Sequence, residues 1–167
     1  MTTQTASAAA TERTVQHATF VIERVFDASP ARVFHSFADP ATKARWFVGP
    51  ERWRSSDHRL DFRAGGSEHL SSLAPNGVTH VFDAIYLDVV PDRRFVYSYE
   101  MHLGEKRISV SLATIELLPD GVGTRLVMTE QDAFLDGADL PAGRERGSRE
   151  LLDNLEAELR RASSNRR

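Results

Sequence analysis

Along this 167-residue chain, apolar positions first recur with a period close to two and then, near the C-terminus, with the period of a helix. Residues 18–27 (ATFVIERVFD) alternate as a first strand, with Phe20, Ile22 and Arg24 on one face and Val21, Glu23 and Val25 on the other. Ser29-Pro30 then supplies an N-cap and a proline at the first helical position. Val33, Phe34 and Phe37 follow at helical spacing, and Asp39-Pro40 repeats the start signal for a helix over 41–46. Starts this close together predict two short helices meeting at a corner. Gly49-Pro50 breaks the chain. Residues 58–63 and 67–73 then read as strands on either side of Gly65-Gly66.

The strongest hairpin signal is Asn76-Gly77, because both residues tolerate positive φ. Strands are predicted over 78–90, 95–101, 107–118 and 124–131, with turn residues between each pair. Residues 132–142 read as a loop. The helix predicted over 143–162 carries Leu151, Leu155, Leu159 and Ala162 on one stripe, widened by Leu152. Glu145–Arg149 and Glu156–Arg160 are favourable i,i+4 pairs on it. This order predicts an α+β fold: a curved antiparallel sheet of about seven strands around a long C-terminal helix, with two short helices after the first strand. A single helix across a curved sheet leaves room for a cavity.

Composition narrows the chemistry. The chain contains no cysteine, which removes thiolate metal sites, disulfides and cysteine nucleophiles. A net charge of -3 gives no support for nucleic-acid binding. No apolar run reaches the roughly 20 residues that span a bilayer, so no membrane insertion is expected. Residues 1–16 read as a flexible tail, 17–162 as one domain and 163–167 as a frayed end. With no secretory pattern at the N-terminus, a cytoplasmic location is expected. The oligomeric state is open, a homodimer included.

Several segments resemble the START-like superfamily, also called SRPBCC, with its helix-grip fold. They are residues 23–47 (ERVFDASPARVFHSFADPATKARWF), 60–66 (LDFRAGG), 86–100 (YLDVVPDRRFVYSYE), 117–137 (LLPDGVGTRLVMTEQDAFLDG) and 144–159 (RERGSRELLDNLEAEL). More narrowly, the chain resembles the branch named after the activator of Hsp90 ATPase homologue. The resemblance implies a hydrophobic pocket between sheet and helix but no shared catalytic set. Relatives commonly carry Gly-Trp near the start of the last helix, where this chain has Gly147-Ser148. Loss of that indole would open or re-line one end of the pocket.

Candidate residues follow from this frame. Tyr97, Tyr99 and Met101 share a strand face with Phe95 and are read as pocket lining or as ordinary core. Trp53 is placed at the mouth and Trp46 in the core. His69, Tyr86, Met128, Glu130, Phe134, Leu151 and Leu155 complete the expected lining. Glu130 shares a face with Leu126 and Met128; inside an apolar cavity its carboxyl would rise in pKa and could act as an acid or base. His69 and His80 flank the Asn76-Gly77 turn and could face one another as a general base or half a metal site. With no HxH or HExxH pattern, no metal and no cofactor are expected. The first reading is a binding module for a small hydrophobic or aromatic molecule, polyketide-like or lipid-like. The alternatives are an enzyme of cyclase, dehydratase or hydrolase type in the same cavity, with Glu130, His69 or His80 as catalytic candidates, and a chaperone-associated interaction protein.

Overall fold

A computed structural model describes residues 12–50 and 53–164. The chain runs β1 (Val15–Phe26), α1 (Pro30–Ala38), α2 (Pro40–Trp46), β2 (Arg54–Leu60), β3 (Ser67–Leu73), β4 (Thr79–Val90), β5 (Arg94–Leu103), β6 (Lys106–Asp120), β7 (Gly123–Leu135) and α3 (Pro141–Ser164). All seven strands form one antiparallel sheet in the order β1-β7-β6-β5-β4-β3-β2. Only β1 is displaced from sequence order: it pairs with β7, from Val15 opposite Leu135 to Phe26 opposite Thr124. This is the helix-grip fold.

The capping signals act as their chemistry requires. Ser29 Oγ accepts from Arg32 N, and Asp39 Oδ2 accepts from both Thr42 N and Thr42 Oγ1. Asp39 closes α1 and opens α2, which makes the corner. Its carboxyl is held below the usual range by the Thr42 hydrogen bonds. Gly77 adopts φ 81° in the β3–β4 turn. At Gly66 a Cβ would stand 2.1 Å from the Asp61 carbonyl oxygen, so the chain can pass there only as glycine.

Several boundaries differ from the sequence expectation. The strand that opens the first hairpin is Arg54–Leu60, not 58–63, because residues beyond Leu60 turn back: Asp61 N donates to Ser67 O, and Gly65 N to Tyr86 O. β7 continues to Leu135 through residues read as loop. Asp132 and Phe134 point inward there and are buried. β1 opens at Val15 and α3 ends at Ser164, two residues outside the expected domain on each side. Of the expected tail, residues 1–11 lie outside the described residues, as do 165–167 at the other end.

The core sits where the two short helices and the C-terminal half of α3 cover the sheet. Phe20, Ile22, Phe26, Val33, Phe37, Phe95, Leu126, Leu155 and Leu159 form one buried cluster. Trp46 belongs to it, and its indole Nε1 donates to Ser36 O at 2.8 Å. The expected surface pairs on α3 form, Glu145–Arg149 at 2.6 Å and Glu156–Arg160 at 2.5 Å. Among the described residues, no helix is long and apolar enough to cross a membrane.

Candidate functional site

The N-terminal half of α3 does not close onto the sheet. A cavity of about 1210 Å³ lies beneath it, bounded by β3–β7 on one side and by α2 with the Phe47–Pro50 segment on another. Two sequence features make the space. Gly147 and Ser148 present almost no side chain to the sheet at this level of α3, and a Cβ at Gly147 would meet no atom within 4 Å. On the facing strand β6, Ser109, Ser111 and Ala113 are small and inward-facing.

Seven of the expected residues line the cavity: Trp53, His80, Tyr97, Tyr99, Met101, Met128 and Leu151. Trp53 packs on the His80 ring, with centroids 4.2 Å apart. Burial holds the His80 imidazole below its ordinary pKa, with Asp139 opposing. Tyr97 and Tyr99 pack 5.8 Å apart, and Phe82 lies 5.0 Å from Tyr99. No hydrogen bond reaches the Tyr97 hydroxyl from any described residue, whereas the Tyr99 hydroxyl is engaged twice. Burial raises both phenols well above the usual range, so both remain protonated.

Five expected residues lie off the lining. Leu155 is fully buried in the main core, packed in one cluster with Leu152 and Leu159. Tyr86 is equally buried and directs its hydroxyl to Glu68. Phe134 lies beneath the Arg144 guanidinium, 5.3 Å from it. Glu130 stands behind Tyr99. His69 faces the other side of the sheet: it pairs with Asp83 in register, and its Nδ1 lies 2.6 Å from Asp83 Oδ1. His80 pairs with Ser72 on the inner face, so the two histidines do not meet across the hairpin.

One end of the cavity is polar. Tyr99 donates to Glu130 Oε1 and accepts from Arg144 Nη1 at 3.0 Å. The small Ser111 and Ala113 side chains allow this reach across β6. Arg144 Nη1 also donates to Ser111 Oγ, and Nη2 to Ser109 Oγ and Asp139 Oδ2, both at 2.7 Å. Ser111 in turn donates to Asp132 Oδ1 at 2.5 Å. Asp132 Oδ2 is buried with no hydrogen-bond partner among the described residues. Burial, reinforced by the neighbouring Asp132 carboxylate, pushes the Glu130 carboxyl up to about 8 against the pull of Tyr99 and Arg144. Burial works against the Arg144 charge, but Tyr99, Asp139 and Glu130 outweigh it and raise its pKa. Sequence reasoning missed Arg144, Asp139 and Asp132. The available signal was Asp132 standing two positions after Glu130, on the same strand face.

A second buried polar group lies outside the cavity. Lys43 Nζ, on α2, donates to Glu68 Oε2 at 2.6 Å and to Tyr86 OH at 3.1 Å. Tyr86 OH donates to the same oxygen, while His58 Nε2 lies 2.9 Å from Glu68 Oε1. Burial alone would raise the Glu68 carboxyl; the Lys43 charge and the hydrogen bonds from His58, Lys43 and Tyr86 overcome it and hold the group at about 2. Burial draws the Lys43 ammonium down, with Glu68 opposing. Every partner here is matched, so the cluster ties α2 to β2, β3 and β4 and leaves nothing facing a ligand. No cluster of three or more potential metal ligands occurs among the described residues.

Comparison with known proteins places this architecture. Residues 27–160 match the family described as Activator of Hsp90 ATPase homolog 1-like protein. An uncharacterized protein from Rhizobium leguminosarum superposes with a TM-score of 0.87 at 45% identity, covering 90% of this chain and 99% of its own. A protein from Rhizobium loti gives 0.80 at 48% identity, covering 87% and 99%. One from Chromobacterium violaceum gives 0.72 at 29% identity, covering 84% and 96%. No curated protein matches at a significant level.

Proposed function

This chain belongs to the activator of Hsp90 ATPase homolog 1-like family, and from that premise we propose that it binds a small hydrophobic or aromatic molecule, polyketide-like or lipid-like, in the cavity under α3. Domains of this START-like superfamily are of a ligand-binding type. The observation that carries the proposal is the cavity itself: about 1210 Å³, walled by Phe47, Phe82, Tyr97, Tyr99, Met101 and Met128. Apolar walls with a few converging polar groups are the usual make-up of a small-molecule site. At about 25 cal/mol per Å², burying roughly 300 Å² of ligand would supply about 7.5 kcal/mol before the costs of association. Useful affinity therefore needs the polar end as well.

Nile red, a neutral apolar dye, is expected to bind saturably with a rise in fluorescence. Gly147→Phe should weaken that binding at least tenfold, because the ring would enter the cavity from a position where a Cβ meets no atom. The same change removes a helix-interior glycine, so the fold should tolerate it. Equal dye affinity in the variant would put the binding site elsewhere. Leu155 is unsuited to this purpose, since a change there tests the core.

A second reading is an acid–base enzyme in the same cavity, of cyclase, dehydratase or hydrolase type. It is favoured by one arrangement: Glu130, held at about 8, is hydrogen-bonded to Tyr99, and Tyr99 faces the cavity. For such a transfer the Tyr99 hydroxyl would turn its proton from Glu130 Oε1 to the bound molecule and take the Glu130 proton in its place. A chaperone-associated role would be favoured by a filled interior with an exposed apolar patch, and the open cavity does not add to that reading.

A further inference from the structure

The polar end of the cavity carries an excess of carboxyl groups, and that excess constrains what can lie against it. Three carboxyl groups, Glu130, Asp132 and Asp139, surround the single Arg144 guanidinium, at 3.8, 3.7 and 2.7 Å respectively. The carboxyl groups here outnumber the guanidinium three to one. Arg144 directs donors of both terminal nitrogens at Tyr99, Ser111, Ser109 and Asp139. An incoming carboxylate would therefore have to displace one of these partners and would meet Asp139 on arrival. Asp139 itself lines the cavity and keeps a quarter of its side chain accessible.

The rest of the lining is matched to the same kind of visitor. Aromatic faces from Phe47, Phe82, Tyr97 and Tyr99 bound the space next to this end, and such faces attract cations. One cation of the chain already uses them at this end: the Arg144 guanidinium stands 5.6 Å from the Tyr99 centroid. The other cations of the lining, Arg45 and Arg161, share Glu158, and their side chains are 44% and 53% exposed, so solvent screens them.

We propose that the ligand is an organic cation: a flat apolar or aromatic body, held among the tyrosines, that bears a protonated amine directed at Asp139 and the carboxyl groups behind it. This rests on the ligand-binding reading above and names the class of molecule the site prefers. The unpartnered Tyr97 hydroxyl offers a second polar contact along the body.

Three compounds of nearly equal shape test it with the full chain: 2-naphthylmethylamine, 2-naphthylmethanol and 2-naphthoate, each competing with bound Nile red at pH 7. The amine should bind at least tenfold more tightly than the naphthoate, equivalent to about 1.4 kcal/mol, with the alcohol between them. Raising the salt concentration should weaken the amine and leave the alcohol in place. Asp139→Asn should shrink the ratio of amine to naphthoate affinity at least threefold. Naphthoate binding as tightly as the amine overturns the proposal, and so does an amine affinity indifferent to salt. Failure of all three to displace bound Nile red also overturns it, while leaving the cavity as the dye site. Absence of Nile red binding in the first place removes the ligand-binding reading itself.

Discussion

Replacing Lys43 by Met should destabilise the protein by about 3–5 kcal/mol, read as a lower midpoint in urea unfolding. Lys43 and Glu68 side chains are 5% and 0% exposed and stand 2.6 Å apart. Removing the ammonium leaves a carboxylate buried without its counter-charge, with only Tyr86 and His58 to hold it. Methionine keeps the length and the apolar stem, so the loss reports the charge rather than a cavity. Lys43→Met combined with Glu68→Gln should recover more than half of the loss, because an amide still accepts from Tyr86 and carries no charge to desolvate. A single variant within 1 kcal/mol of the parent would mean that water reaches the pair.

The second large effect is a dependence on pH set by two carboxyl groups of opposite habit. Glu130 titrates at about 8 in the folded protein against an ordinary value of 4.5. Between those values the folded protein holds a proton that the unfolded chain has lost, so stability falls as pH rises through that window. The full effect above pH 8 is up to about 5 kcal/mol, from 1.36 kcal/mol per unit. Glu68 acts in the reverse sense. Its folded value of about 2 lies below the ordinary 4.5, so its contribution is complete above pH 4.5 and is lost as pH falls toward 2. Stability should therefore peak near pH 4.5–5. Glu130→Gln should remove the alkaline decline: the variant and parent should nearly agree at pH 4.5, and the variant should be more stable at pH 8.5. Parallel curves across that range would show Glu130 ionised and solvated.

Much of the fold was legible because its signals are local. Ser29-Pro30 and Asp39-Pro40 place two helix starts through capping chemistry alone, and Asn76-Gly77 places a turn through its φ requirement. What stayed hidden depends on which residues the sheet brings side by side. Asp132 reads as loop because aspartate is poor in strands, yet its carboxylate is held inside by Ser111 and faces Arg144. Arg144 reads as one more polar helix residue until β5, β6 and β7 stand beneath it. Lys43 is not singled out in the short helix predicted over 41–46, although Glu68 sharing a face with Leu70 was a clue to a buried partner. Leu155 and Leu151 belong to one stripe in the sequence, but the first is sealed into the core and the second lies against the cavity. The histidines were separated by register, which one residue of shift inverts.

The claim on which the rest depends is that the space between α3 and the sheet receives a ligand. Two of the chain's three methionines, Met101 on β5 and Met128 on β7, line that space from strands separated by β6. Methyl-labelled methionine NMR during a titration with 2-naphthylmethanol reads it directly. Both methyl signals should move, saturate together and report one dissociation constant. Saturable binding that leaves both signals where they were would place the ligand outside the cavity.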